Sequence, residues 1–239
     1  MSRRLKKIEH TRAFRKTKRF FKQIMGKDVW IFPRLKTRRH CFGDWCLDPT
    51  HLDSNSIVYS IGIGKDTEFD VRMIEDFGVR VYGFDPTPGL EDWLKENLHA
   101  DGFVFFPYGI SSTDEEIEIF PRVNKRGVKS NEMFSVVNEG DPADGVKVQM
   151  RRLSTVMRQL GHSRIDILKM DVEAAEYDVI DDILGENLGI DQILVEFHHR
   201  FKTVGCDKTL RAVKQLNDAG YEIFFISDLG REYSFKKVR

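Results

Sequence analysis

Ile57-Val58-Tyr59-Ser60-Ile61-Gly62-Ile63-Gly64 is the stretch on which the fold turns. Five residues rich in β-branched and aromatic side chains form a short buried strand, and the two glycines close it in a tight strand-to-helix turn. Downstream, Phe69, Val71, Met73, Ile74 and Phe77 mark a helix stopped by Gly78. Val79 to Phe84 then forms a second strand ending in Asp85-Pro86. The same alternation continues outward, with a helix over Leu90–Leu98 and a strand over Phe103–Tyr108. A helix over Leu153–Leu160, a strand over Ile165–Met170 and a helix over Glu176–Leu184 follow. Gln192–Phe197 reads as a strand and Thr209–Ala219 as a helix stopped by Gly220. Such alternation predicts a mainly parallel sheet covered on both faces. Tyr221–Ile226 and Tyr233–Lys237 are separated by Asp228-Leu229-Gly230, a gap too short for a crossover helix, so they pair antiparallel. Between Ser111 and Gln149 only Glu116–Phe120 alternates clearly. Gly127–Gly145 reads as a polar flap, while Gly43–Cys46 and Asp48-Pro49 read as turns.

The 239 residues, 41% hydrophobic and 32% charged, suit one soluble α/β domain with an extension. No apolar run approaches the roughly 20 residues of a membrane-spanning helix, and no apolar core follows the N-terminal cations as in a secretory signal. Cys41, Cys46 and Cys206 form no CxxC pair; the expectation is three reduced thiols and a cytoplasmic setting. Zero net charge conceals an asymmetry. Residues 1–40 hold fifteen Lys and Arg against Glu9 and Asp28, a net of +13, leaving an acidic body over 41–239. Leu5, Ile8, Phe14, Phe21, Ile24 and Met25 place an apolar stripe on this basic helical extension. Two readings stand for it: peripheral contact with an anionic membrane, or packing of the stripe on the body with the cations in water.

Open α/β sheets bind ligands at the carboxyl ends of their strands. Gly62 and Gly64 allow close backbone approach there. Thr67 stands where a dinucleotide fingerprint has its third glycine, and Lys65 is followed by Asp66 rather than by a phosphate-loop Ser or Thr. Asp85, about 20 residues beyond the glycines, suits a ribose diol and repels a 2′-phosphate. Asp66 suits a ligand with an amino group and a sulfonium cation.

The runs Val58–Gly64, Gly83-Phe84-Asp85-Pro86-Thr87-Pro88 and Leu168-Lys169-Met170-Asp171-Val172-Glu173-Ala174-Ala175-Glu176 resemble the FkbM-type methyltransferases, over roughly residues 43–235. The resemblance implies a Rossmann-like class I methyltransferase fold: a mainly parallel seven-stranded sheet with a C-terminal antiparallel hairpin. It implies S-adenosylmethionine as cofactor and O-methylation, often of sugar or polyketide hydroxyls. The candidate cofactor set is Ser60, Gly62, Gly64, Asp66, Asp85, Pro86, Gly109, Ile110 and Asp171. Two positions depart from the family pattern. Ser60 replaces the common acidic residue, and Ala174 replaces the glycine of the Asp-x-Glu-Gly-x-Glu motif.

For the chemistry, His198 is the expected general base, with Asp171 or Glu173 as its partner. Its neighbour His199 faces the other way along the strand, and the sequence leaves open which of the two histidines points inward. Asp171, Glu173 and Glu196 could gather around Mg²⁺, an arrangement not favoured over a metal-free site. Glu176 is expected to serve the start of its helix. His40, Cys41, Cys46 and His51 lack zinc-site spacing. The expected acceptor is a glycan or small hydroxylated molecule. An RNA or protein acceptor gripped by the basic arm, or a non-catalytic binding module on this scaffold, are the alternatives.

Overall fold

The computed structural model describes residues 12–123, 127–135, 141–201 and 204–238. Its centre is a seven-stranded sheet. Strands β3 (Ile57–Ile61), β4 (Arg80–Phe84), β5 (Phe103–Phe106), β10 (Ile165–Met170) and β11 (Ile190–Glu196) run parallel. The hairpin β12 (Tyr221–Ile226) and β13 (Glu232–Lys237) joins antiparallel through β13 against β11. The order β12-β13-β11-β10-β3-β4-β5 reverses direction of progression at β3 and β10, opening a crevice beyond their carboxyl ends.

Alternate residues of the central strands feed two cores. Tyr59, Ile61, Leu168 and Met170 pack with helices α4 (Leu153–Leu160), α5 (Glu176–Gly185) and α6 (Cys206–Asp218). Val58, Ile167 and Leu194 pack on Phe69 and Met73 of α2 (Glu68–Phe77). Helix α3 (Leu90–Asn97) lies between β4 and β5 in sequence and buries Leu90 and Leu94.

Residues expected as loop carry more structure. Strands β6 (Gly109–Ser111), β7 (Glu115–Val123), β8 (Lys129–Ser135) and β9 (Val146–Arg152) form a second sheet in the order β6-β9-β7-β8. The expected flap over 127–145 therefore contains a strand; residues 136–140 lie outside the described part. In β9, Lys147 and Gln149 alternate with Val146, Val148 and Met150, of which only Val148 and Met150 are buried. Its apolar face, with Ile119, forms only a small cluster.

The expected turns near residue 45 belong to a hairpin of β1 (His40–Phe42) and β2 (Trp45–Leu47). Cys41 and Cys46 are partners in its register and are disulfide-bonded, against the expectation of three free thiols. Cys206 is free. The Cys41–Cys46 bond thus removes the support that the cysteine pattern lent to a reducing compartment. Among the described residues no helix is long and apolar enough to cross a membrane.

The basic extension also differs from its expected packing. Helix α1 (Arg12–Ile24) turns its cations, not its apolar stripe, toward the body. Arg12 and Lys16 pair with Asp228 at 2.8 and 3.7 Å, and Arg15 pairs with Asp44 at 3.1 Å. Arg19 lies 3.9 Å from the buried Asp28. Phe20, Phe21, Ile24 and Met25 stay exposed, together with Trp30 and Phe32. Leu5 and Ile8 lie outside the described residues. The chain then crosses to β12, where Arg34 and Leu35 both donate their N–H to Ile223 O.

Candidate functional site

A cavity of about 340 Å³ opens at the carboxyl ends of β3, β4 and β10. Eight of the nine expected cofactor residues line it: Gly62, Gly64, Asp66, Asp85, Pro86, Gly109, Ile110 and Asp171. Ser60 does not. Strand alternation sends its side chain beneath the sheet, fully buried beside Asp70 of α2. Lys169 shares that buried layer and donates to Gly62 O at 3.4 Å, supporting the glycine turn from below.

The two glycines act differently. A Cβ on Gly62 would fall 1.7 Å from Asp171 O, so this glycine lets the turn after β3 meet the chain leaving β10. The close approach is to protein backbone rather than to a ligand. Gly64 has open space around it but a φ of +55°, and its N–H donates to Asp85 Oδ2 at 2.9 Å. Asp85 Oδ1 accepts from Thr87 N at 2.8 Å. The carboxylate is thus locked at the end of β4, and each oxygen keeps a lone pair for a diol. Ile117, Ile119, Phe134 and Met150 of the second sheet roof the cavity with apolar surface. Apolar walls over Asp66, Asp85 and Asp171 suit a ligand with a flat apolar group, a diol and positive charge.

The second part of the site is a cluster of carboxylates around His198, buried to 7% exposure. Its Nε2 lies 3.7 Å from Asp171 Oδ1 and 3.8 Å from both Glu173 Oε2 and Glu196 Oε1. Its Nδ1 lies 3.3 Å from Glu176 Oε1, which accepts from the backbone N–H of His198 at 2.8 Å. Burial pulls the imidazole pKa down, but Glu176, Glu173 and Glu196 outweigh it and lift the value to about 9. His198 therefore carries a proton at neutral pH, which a resting general base would lack. Glu196 is pushed up to about 7 by burial and by the charge of Asp171. Glu173 is raised by burial and pairs with Arg122 at 2.9 Å. His199 points away, 3.4 Å from Asp28. Glu176 opens its helix as expected and is also fully buried as the anchor of His198.

Asp171, Glu196 and His198 offer ligand atoms within 4.8 Å of one another, which differs from the expected Mg²⁺ set by replacing Glu173 with His198. Arg231 already lies 2.7 Å from Glu196 Oε1 and competes for that carboxylate. The backbone beside the cluster is strained: Glu173 and Ala174 have φ of +46° and +83°. Ala174, standing where the family has glycine, keeps the glycine-like conformation.

Beyond His198 lies a second cavity of about 330 Å³ beneath α1. Arg19, Lys22, Arg200 and Arg231 are among its lining residues, and none had been singled out as site residues. The helical spacing of Arg12, Arg15, Arg19 and Lys22 was the available signal.

A cavity at the carboxyl ends of a parallel sheet, with an aspartate locked after the second central strand and an acidic cluster after the fourth and fifth, stands where open α/β sheets bind ligands. The Methyltransferase FkbM domain matches residues 56–223, and the chain belongs to that methyltransferase family. It is 27% identical over 192 residues to "Probable methyltransferase-like protein 24" of Homo sapiens, covering 75% of this chain and 45% of that protein. It is 28% identical over 172 residues to "Methyltransferase sdnD" of Sordaria araneosa, covering 59% of this chain and 66% of that one. The chain thus spans less than half the length of the human relative. Among solved structures it is similar to the methyltransferase FkbM of Methylobacillus flagellatus KT, with a TM-score of 0.45 and 12% identity over 77% of this chain and 44% of the other.

Proposed function

We propose that this chain is an S-adenosylmethionine-dependent O-methyltransferase acting on a hydroxyl of a glycan or related small molecule. The observation that carries the reading is the cavity joining the locked Asp85 carboxylate to the Asp171–Glu173–His198 cluster. Asp85 would accept the ribose hydroxyls, and Asp66 would face the cationic end of the cofactor. When bound, the cofactor supplies a methyl group already activated on sulfur. The acceptor oxygen forms its bond to that methyl as the sulfur–carbon bond breaks, and its proton must go to the protein.

Asp171 is the group to take it. Glu173 is held by Arg122, Glu196 by Arg231 and Glu176 by a backbone N–H. Asp171 faces the cavity with no partner but His198 among the described residues. The charged imidazole then orients Asp171 rather than accepting the proton, a role exchanged with the one expected for it from sequence. No metal is needed in this scheme.

The inward cations of α1 are paired with Asp28, Asp44 and Asp228, which speaks against their display as a track for RNA. The test is calorimetric titration of the full chain with S-adenosylmethionine, followed by methyl-transfer assays on a panel of hydroxylated sugars. Saturable cofactor binding is expected. No binding by the folded protein would leave only a non-catalytic scaffold.

A further inference from the structure

The cavity beneath α1 has an unusual lining. Arg15, Lys18, Arg19, Lys22, Arg200 and Arg231 surround it, and among the described residues no carboxylate does. The carboxylates that neutralise part of this charge stand behind it. Asp44 holds Arg15, Asp28 holds Arg19 and Arg200, and Glu196 holds Arg231. Lys18 and Lys22 have no such partner among the described residues. Several donors are buried without an acceptor: Arg19 Nε and Nη2, and Arg200 Nε. Buried guanidinium donors without acceptors are costly, and fixed cations repel one another at this spacing. The Lys22 pKa is lowered by burial and then by the charges of Arg200 and Lys18, which together outweigh the opposing charge of Asp28, so the ammonium sits in a net positive field.

Position gives this field a purpose. His198 lines this cavity, and its Nε2 lies 3.7 Å from Asp171, which lines the other. One layer of side chains separates the cationic chamber from the place where the acceptor hydroxyl must be aligned.

We propose that the cavity beneath α1 holds a tetrahedral oxyanion of the acceptor, a phosphate or sulfate ester close to the hydroxyl that is methylated. The substrate class is then a small hydroxylated molecule with such an ester, a sugar phosphate or sugar sulfate rather than a neutral glycan. This rests on the methyltransferase reading above and narrows it. Guanidinium and ammonium groups are the side chains suited to such oxyanions. Helix α1 closes over the chamber, and its outer cations Arg12 and Lys16 are held by Asp228. A single anionic group fits this arrangement better than a polymer running through it.

The test titrates the full chain at low ionic strength with inorganic phosphate, with sulfate, with glucose and with glucose 6-phosphate, and separately with S-adenosylmethionine. Lys18→Gln/Lys22→Gln removes the two unpaired cations and leaves the ion pairs that dock α1. The expected result is saturable binding of phosphate or sulfate and of glucose 6-phosphate, with none of glucose. In the double variant that binding weakens by about tenfold or more, while cofactor affinity stays within about twofold. Lys18→Arg/Lys22→Arg restores it. The phosphate and sulfate arms show which ester is preferred, and either preference supports the proposal. Binding of the cofactor but of neither anion would overturn the chamber and leave the methyltransferase reading intact. So would anion binding that ignores the double variant, or an oligoribonucleotide displacing glucose 6-phosphate at lower concentration than phosphate does. Anion binding without cofactor binding would instead sink the methyltransferase reading, together with the substrate assignment built on it.

Discussion

Replacing Asp85 with alanine probes the cofactor assignment, and the geometry gives two separable effects. Oδ2 accepts from Gly64 N at 2.9 Å and Oδ1 from Thr87 N at 2.8 Å, so truncation frees two loop amides. A hydrogen bond to a charged group contributes about 1.5–3 kcal/mol, but Gly64 and Thr87 are partly exposed and water replaces much of it. A net stability loss of about 2 kcal/mol follows, or a Tm lower by roughly 4–8 °C for a chain of this length. The second effect is on the ligand. Losing the charged acceptor for the ribose hydroxyls weakens binding by about 1.5–3 kcal/mol, roughly 10- to 150-fold in Kd. Scanning calorimetry measures the first effect, and isothermal titration with S-adenosylmethionine measures the second at a temperature where the variant is folded. Asp85→Asn keeps one acceptor oxygen and is expected to fall between. A cooperatively folding Asp85→Ala that binds the cofactor as tightly as the parent would refute the ribose contact. Unchanged stability would refute the two amide bonds.

Four further outcomes are expected. Ala174→Gly removes a left-handed alanine at φ +83° and should stabilise the chain by about 1 kcal/mol, seen as a higher denaturation midpoint; a loss of stability would contradict the strain. Asp171→Asn should lower turnover by about 10²–10⁴ with cofactor affinity little changed, and full activity would remove Asp171 as the base. With EDTA present, turnover should fall as pH rises through about 9, where His198 loses its proton; activity that climbs to that pH would restore His198 as the base, and activity lost in EDTA but returned by Mg²⁺ would establish a metal. The exposed Phe20, Phe21, Ile24, Met25, Trp30 and Phe32 should carry the full chain down with anionic vesicles while a chain starting at Lys36 stays in solution; equal behaviour of the two would end the membrane reading.

The central sheet was legible because its strands are short apolar runs punctuated by glycine and proline, and because three of its ends carry the motif residues. The cavity could be read for the same reason: Gly62, Asp85 and Asp171 lie at neighbouring carboxyl ends, so topology brings them together. Ser60 holds the motif position but misses the cavity because strand alternation turns its side chain to the other face of the sheet. The second sheet was missed because charged residues in β7 and β9 mask a thin apolar face that roofs only the cavity. The disulfide was missed because spacing rules look for CxxC, whereas Cys41 and Cys46 meet as cross-strand partners of a hairpin that itself read as turns. His198 was placed correctly among its carboxylates. What sequence could not supply is their number: Asp171, Glu173, Glu176 and Glu196 converge on one imidazole, and that convergence keeps it protonated at neutral pH.

Helix α1 shows why an amphipathic pattern alone leaves a packing direction open. Its apolar residues and its cations both recur at helical spacing, so the sequence holds two stripes and either can face inward. An apolar stripe packs inward when the surface opposite is apolar. Here the surface opposite offers Asp44 and Asp228, and the buried Asp28 anchors the turn that follows the helix. Turning Arg12, Arg15, Lys16 and Arg19 toward those acids satisfies both sets of charges, whereas the opposite orientation would bury phenylalanine against carboxylates. The zero net charge of the chain is thus not an average over unrelated halves. Helix α1 is seated by acids of the body, and its Arg15, Lys18, Arg19 and Lys22 join Arg200 and Arg231 of the body to make the chamber beside His198 cationic.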